Sequence, residues 1–143
     1  MFIGEYSLSM DNKGRCAVPA KFRQSLGSGA VITRGLDNSL FLYPRKQWEE
    51  IAAKLANLPI SQANSRAFAR LMLAGAFDVE IDKQGRMMIP DYLRRFAGLT
   101  KKVIVAGLYD RLEIWDETAW SEYKANTEKE SGNIAEALGQ LGV

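Results

Sequence analysis

At 143 residues the chain is about one domain's worth of sequence, and its 47% hydrophobic fraction supplies an ordinary globular core. A net charge of +2 exerts no overall pull on a polyanion; the absence of histidine removes the usual general base and the commonest metal ligand; a single cysteine, Cys16, excludes an internal disulfide. No apolar run approaches the roughly 18 residues that span a bilayer, and the amino terminus lacks a secretory pattern, so the expectation is a cytoplasmic protein with no membrane partner.

In chain order, Glu5 to Met10 alternates Tyr6, Leu8 and Met10 against Ser7 and Ser9, the period-two pattern of a half-buried strand. Asp11 to Gly14 reads as a β-turn and Arg15 to Val18 as a returning strand, which together predict a hairpin. Pro19 stands where a helix can begin; Phe22 and Leu26 give that helix one apolar face, and Gly27 stops it. The β-branched run Ala30 to Thr33 is a buried strand, Gly35 to Ser39 a turn, and Leu40 to Tyr43 its partner strand. Pro44 opens a helix with Trp48, Ile51, Ala52 and Leu55 at helical spacing. After a linker from Asn57 to Gln62, residues 63–74 form an amphipathic helix bearing Phe68, Leu71 and Met72, ended by Gly75.

The pattern then starts again. Val79 and Ile81 lead to a turn at Asp82 to Gly85 and a returning strand, Met87-Met88-Ile89. Pro90 precedes a helix with Tyr92 and Phe96 on one face and Gly98 at its end. Strands follow at Val103 to Ala106 and Leu112 to Trp115, separated by a turn at Gly107 to Arg111. Asp116 opens a helix holding Trp120, and Asn133 to Leu141 form a last helix, with Ile134, Leu138 and Leu141 in register to dock on a neighbouring subunit or to fray.

The chain is therefore an internal repeat. Asp11-Asn12-Lys13-Gly14-Arg15 returns as Asp82-Lys83-Gln84-Gly85-Arg86, and Val18-Pro19 returns as Ile89-Pro90. Phe22 lies over Leu93, Arg23 over Arg94, Leu42 over Ile114, Tyr43 over Trp115 and Trp48 over Trp120. Two copies are too few for a solenoid. The expectation is one pseudo-two-fold domain over 1–143: repeat one at 6–55, a helical linker at 56–76, repeat two at 77–127 and a C-terminal helix at 133–141. Residues 1–55 carry eight Lys/Arg against five Asp/Glu, whereas 78–130 carry nine against eleven, so the first repeat holds the basic surplus.

What repeats is a polar turn, which points to function at the surface. Arg15 and Arg86 admit two readings: one half of a cross-turn ion pair with Asp11 and Asp82, worth less than about 1 kcal/mol, or a guanidinium held out towards an anion. Asp11 and Asp82 as paired catalytic carboxylates would need an enclosing pocket, and the sequence has no Gly-rich phosphate loop, triad or metal cluster; an enzyme is not expected, nor a cofactor, metal or small-molecule ligand. Arg34, without a repeat partner, reads as a barrel-edge ion pair or a groove contact. Trp48, Trp115 and Trp120 read as core or interface residues, and Cys16, aligned with Met87, as a packing residue.

The opening Met1-Phe2-Ile3-Gly4-Glu5-Tyr6, the paired turns ending in Arg15 and Arg86, Pro19, Pro90 and the closing Leu112-Glu113-Ile114-Trp115-Asp116 resemble the MraZ family over nearly the whole chain. The resemblance implies a mixed fold of β with α (α+β): a swapped-hairpin, or double-split, β-barrel like those of AbrB-type regulators and MazE-type antitoxins, built here from two repeats of one chain with peripheral helices. It implies a bacterial, sequence-specific regulator, a repressor in the usual case. Such a protein assembles into a homo-oligomeric ring, an octamer or larger, and binds double-stranded DNA at repeated boxes upstream of the division and cell-wall gene cluster, which places it on the nucleoid. Arg15 and Arg86 would then contact DNA. Lys13, Lys21 and Arg23, with Lys83, Arg94 and Arg95 in the second repeat, would hold phosphates, while Asp11, Gly14, Asp82 and Gly85 shape and brace the turns. The competing reading is an antitoxin-like or scaffold module using the same barrel for protein interaction.

Overall fold

The structure, a computed structural model, describes residues 1–27 and 29–142. Its strands are β1 (Phe2–Ser9), β2 (Arg15–Ala17), β3 (Gly29–Arg34), β4 (Leu40–Pro44), β5 (Phe77–Glu80), β6 (Arg86–Met88), β7 (Lys102–Tyr109) and β8 (Leu112–Asp116). Its α-helices are α1 (Ala20–Leu26), α2 (Arg45–Ala56), α3 (Ala63–Ala69), α4 (Asp91–Ala97), α5 (Glu117–Lys129) and α6 (Ser131–Ala137). Six strands form one antiparallel sheet in the order β1-β7-β8-β4-β3-β5, and β2 pairs with β6 in a separate ribbon.

Exchanging the repeats turns β1 into β5, β3 into β7 and β4 into β8, and the sheet order then reads the same backwards. That is the signature of a pseudo-two-fold axis, passing between β4 and β8. Each repeat lends its first strand to the other: β1 pairs with β7 over Phe2↔Tyr109 to Ser9↔Lys102, and β5 pairs with β3 over Gly29↔Glu80 to Ile32↔Phe77. Neither half closes its own sheet, so the swapped-hairpin architecture exists within one chain.

One expectation changes here. The segments flanking each polar turn do not zip into a local hairpin: β1 and β2 share a single bridge, Met10↔Cys16, and β2 takes its ladder from β6 of the other repeat. The physical reason is the core. Crossing over puts Cys16 and Met87 side by side beneath the ribbon, where they are 2% and 1% exposed. They join Val18, Phe22, Leu26, Ile89 and Leu93, all buried, and Phe2 and Tyr6 pack edge-on to Phe22 at 5.5 and 5.2 Å. Each such fully buried aliphatic or aromatic side chain contributes about 1.5–3 kcal/mol, so the barrel centre holds the crossover in place.

The link between repeats has a small core of its own, Phe41, Tyr43, Leu55 and Met72 with Trp48, Ile51, Phe68 and Leu73 against it. After α3 the helix widens into a π turn, Arg70–Ala74, and the Thr33 hydroxyl donates to the Met72 carbonyl at 2.6 Å, satisfying a buried acceptor. At the other end, α5 is fixed to β1 by Lys124 on Glu5 at 2.6 Å. The last helical segment begins at Ser131 rather than Asn133 and breaks into a 3₁₀ turn at Gly139–Leu141, because glycine is a poor helix former. Ile134, Leu138 and Leu141 are exposed on it.

Candidate nucleic-acid interface

The β2/β6 ribbon sets Arg15 opposite Met88, Cys16 opposite Met87 and Ala17 opposite Arg86. Strand side chains alternate, so with Cys16 and Met87 turned into the core the outer four share the opposite face. Arg15 and Arg86 are diagonal neighbours there, roughly 7–8 Å apart, and both line one groove of 230 Å³ with Glu80, Ile81, Asp82 and Met88.

Each arginine is aimed by its own turn. The Oδ1 of Asp11 accepts the backbone N–H groups of Lys13 and Arg15, both at 2.9 Å, and Oδ2 accepts the Arg15 Nε–H at 2.7 Å. Asp82 does the same: Oδ1 accepts from Gln84 at 2.8 Å and Arg86 at 2.9 Å, and Oδ2 accepts Arg86 Nε–H at 3.2 Å. The ion-pair reading and the anion-binding reading are thus compatible. Bracing occupies Nε alone, and among the described residues no hydrogen bond is made by the terminal nitrogens of either guanidinium. The arginine side chains remain 37% and 36% exposed.

The same bonds hold both carboxyls below the usual range, the backbone N–H of Arg15 acting first on Asp11 and that of Arg86 first on Asp82, against an opposing push from partial burial. A carboxyl lowered in the folded state stabilises the fold fully above its ordinary value, 3.8, and that contribution disappears as pH falls through the lowered value. Both turns therefore loosen only in acid. The amide proton shifts of Arg15 and Arg86 are expected to titrate below pH 3.8, and Asp11→Asn, which keeps an acceptor oxygen without the charge, to flatten the Arg15 titration alone.

The turns also lock to one another. Gly85 O accepts the Val18 N–H and Gly14 O the Ile89 N–H, both at 2.8 Å. Arg23 lies over Gly85 and Arg94 over Gly14: a β-carbon added at either glycine would fall 2.3 Å from Arg23 Cζ or 2.8 Å from Arg94 Nε. Arg23 Nε donates to Val18 O at 2.8 Å, and Arg94 is flanked by Asp91 at 3.8 Å. These two arginines cover the opposite repeat's turn; Arg94 is half-buried, whereas Arg23, like Lys13, Lys21 and Lys83, is exposed and free of salt bridges among the described residues. Arg95 is paired with Asp91 at 3.0 Å.

Among the described residues Arg34 makes no salt bridge, the barrel-edge pair expected of it; its guanidinium lies 6.0 and 5.9 Å from the rings of Tyr92 and Phe96. Trp115 is buried, donating to Glu113 at 3.0 Å and packing on Trp120 at 5.3 Å, and Trp48 packs on Tyr43, so none of the three is an open stacking platform. Burial pushes the Cys16 thiol up to about 12, with the Asp11 charge adding to it, which fits a packing role. Among the described residues no cluster of His, Cys, Asp and Glu could hold a metal, and no helix is long and apolar enough to cross a membrane. Sequence reading did not single out Ala17 and Met88, although strand alternation places them beside the arginines.

Comparison with known proteins adds a family. A family model described as "MraZ protein, putative antitoxin-like" matches twice, at residues 1–71 and 72–140. A protein of Acetivibrio thermocellus named Transcriptional regulator MraZ is 46% identical over 143 residues, covering all of both chains. Its namesake in Thermoanaerobacter sp. (strain X514) is 48% identical over 143 residues, again covering both chains fully. That of Natranaerobius thermophilus is 46% identical over 138 residues, 96% of each.

Proposed function

The chain belongs to the MraZ family, and from that premise we propose that it is a DNA-binding transcriptional regulator, a repressor acting on repeated boxes upstream of the division and cell-wall gene cluster. The observation that carries the reading is the outer face of the β2/β6 ribbon, with two arginines braced through Nε and their terminal nitrogens unengaged. The major groove, about 12 Å wide, admits a two-stranded β-ribbon, and two terminal N–H groups match the O6 and N7 of guanine. Lys13 and Lys83 at the turn tips, with Lys21 on α1, hold flanking phosphates and set the register without reading sequence.

One ribbon makes few contacts. A homo-oligomeric ring of eight or more subunits, presenting several ribbons to tandem boxes, converts weak single contacts into tight binding through effective concentration. It also explains how a chain with a net charge of +2 occupies the nucleoid.

The test is binding to the DNA upstream of the protein's own gene, measured by fluorescence anisotropy across a salt series. Affinity falls steeply with salt, with a slope of about −0.9 per neutralised phosphate. Lys13→Ala and Lys83→Ala each flatten that slope by about one per engaged ribbon while leaving sequence preference intact. Wild-type protein that holds this fragment no better than unrelated DNA of equal length would sink the proposal.

A second reading draws on the antitoxin-like description of the family and on residues 121–142, which are exposed throughout and carry Tyr123, Ile134, Leu138 and Leu141 outward. A toxin co-purifying at a one-to-one ratio would establish it.

A further inference from the structure

We infer that Met88 is an apolar base reader which, with no counterpart of its size in the first repeat, gives the ribbon a direction on DNA. The inference rests on the DNA-binding reading above and extends it to specificity. Met88 is opposite Arg15 in the ladder and 42% exposed, although it is a long apolar side chain on a face otherwise occupied by two arginines and an alanine. It lies at the boundary of two grooves, one of 230 Å³ containing Arg15 and Arg86 and one of 430 Å³ along β5 with Phe77 and Val79. Its alternation partner Met87 fills the core at 1% exposure, so Met88 itself is not needed to close the barrel.

The pseudo-two-fold axis relates Met88 to Ala17. Two arginines related by such an axis would read a symmetric site. The outer face is symmetric in its arginines and asymmetric in its apolar pair. Beside a guanine held by Arg15, the terminal methyl and sulfur of Met88 reach a neighbouring base edge, and the apolar group offered there in the major groove is the C5-methyl of thymine. Ala17, with one carbon, falls short on the other half. The flanks differ as well: the Arg45–Asp78 pair, at 2.6 Å, and Glu80 border the Met88 side, where Ser7 and Ser9 stand on the other.

The experiment selects ligands from a randomised duplex library with wild type, Met88→Ala, Met88→Gln and Ala17→Met, then measures the wild-type winner with thymine replaced by uracil at each position in turn. Wild type is expected to prefer thymine over uracil at one position next to a guanine, by about fourfold per engaged ribbon for a single buried methyl. Met88→Ala and Met88→Gln should lose that preference while keeping the guanine, and Ala17→Met should acquire a second thymine on the opposite side. The same selected motif and the same uracil tolerance in all four proteins would overturn the inference while leaving DNA binding intact. No enrichment by wild type would overturn the DNA reading and this inference with it.

Discussion

Arg15→Ala is expected to lower affinity for the upstream DNA by about five- to a hundred-and-fifty-fold per engaged ribbon, the equivalent of one bidentate guanine contact worth about 1–3 kcal/mol. The geometry explains the size. Asp11 engages only Nε, at 2.7 Å, so the guanidinium arrives at DNA with its direction fixed and its two terminal nitrogens unengaged. Less side-chain entropy is then lost on binding than for a free arginine. Arg15→Lys is not expected to rescue, because one ammonium cannot both stay on Asp11 and present a planar fork. Arg86→Ala should cost less, because its brace is longer, at 3.2 Å against 2.7 Å for Arg15. Thermal unfolding of Arg15→Ala should stay near wild type, because solvent screens an ion pair this exposed and leaves it little weight in the fold. Unchanged DNA affinity with unchanged folding would remove Arg15 from the interface.

Much of this site was legible before the fold was known. An Asp four residues before an Arg, with Gly between them, fits a turn in which the carboxylate captures backbone amides, and the second copy shows that the pattern is no accident of composition. The helices after Pro19 and Pro90 and the strands at 30–33 and 103–106 followed from proline geometry and β-branching for the same reason: each depends on residues within a few positions. What stayed hidden depends on distant partners. A three-residue strand such as β2 carries too little pattern to say whether it returns on β1 or crosses to β6; the choice lies with the core beneath Cys16 and Met87. That Arg23 and Arg94, read as phosphate contacts, also cover glycines of the other repeat is a contact that no local pattern shows. Arg34 looked like an ion-pair residue because its neighbours in space, Tyr92 and Phe96, are some sixty positions away in sequence.

The glycines under those arginines supply the second large effect. Gly14→Ala is expected to destabilise the fold by about 3 kcal/mol or more, combining 1–2 kcal/mol for a β-carbon in the left-handed region with a collision the backbone cannot avoid. Gly14 has φ +81°, and the added carbon would lie 2.6 Å from the Ile89 carbonyl oxygen and 2.8 Å from Arg94 Nε. Ile89 N–H is itself bonded to Gly14 O at 2.8 Å, so relieving the clash breaks the bond that fastens one repeat's turn to the other's strand. Two companions separate strain from collision. At Gly98, φ +61° and ψ +34° in the left-handed region, nothing lies within 4 Å, and Gly98→Ala carries the conformational cost alone. At Gly85, φ +77°, the nearest atoms all belong to the Arg23 side chain, which can swing aside, so Gly85→Ala falls between the two. Urea denaturation at neutral pH should therefore rank the variants Gly14→Ala, Gly85→Ala, Gly98→Ala from least to most stable. DNA affinity should fall in Gly14→Ala and Gly85→Ala under conditions where both are still folded, because the ribbon that carries Arg15 and Arg86 is tied down at these two carbonyls. A Gly14→Ala midpoint no lower than that of Gly98→Ala would mean that the interlocked turns do not hold the barrel together.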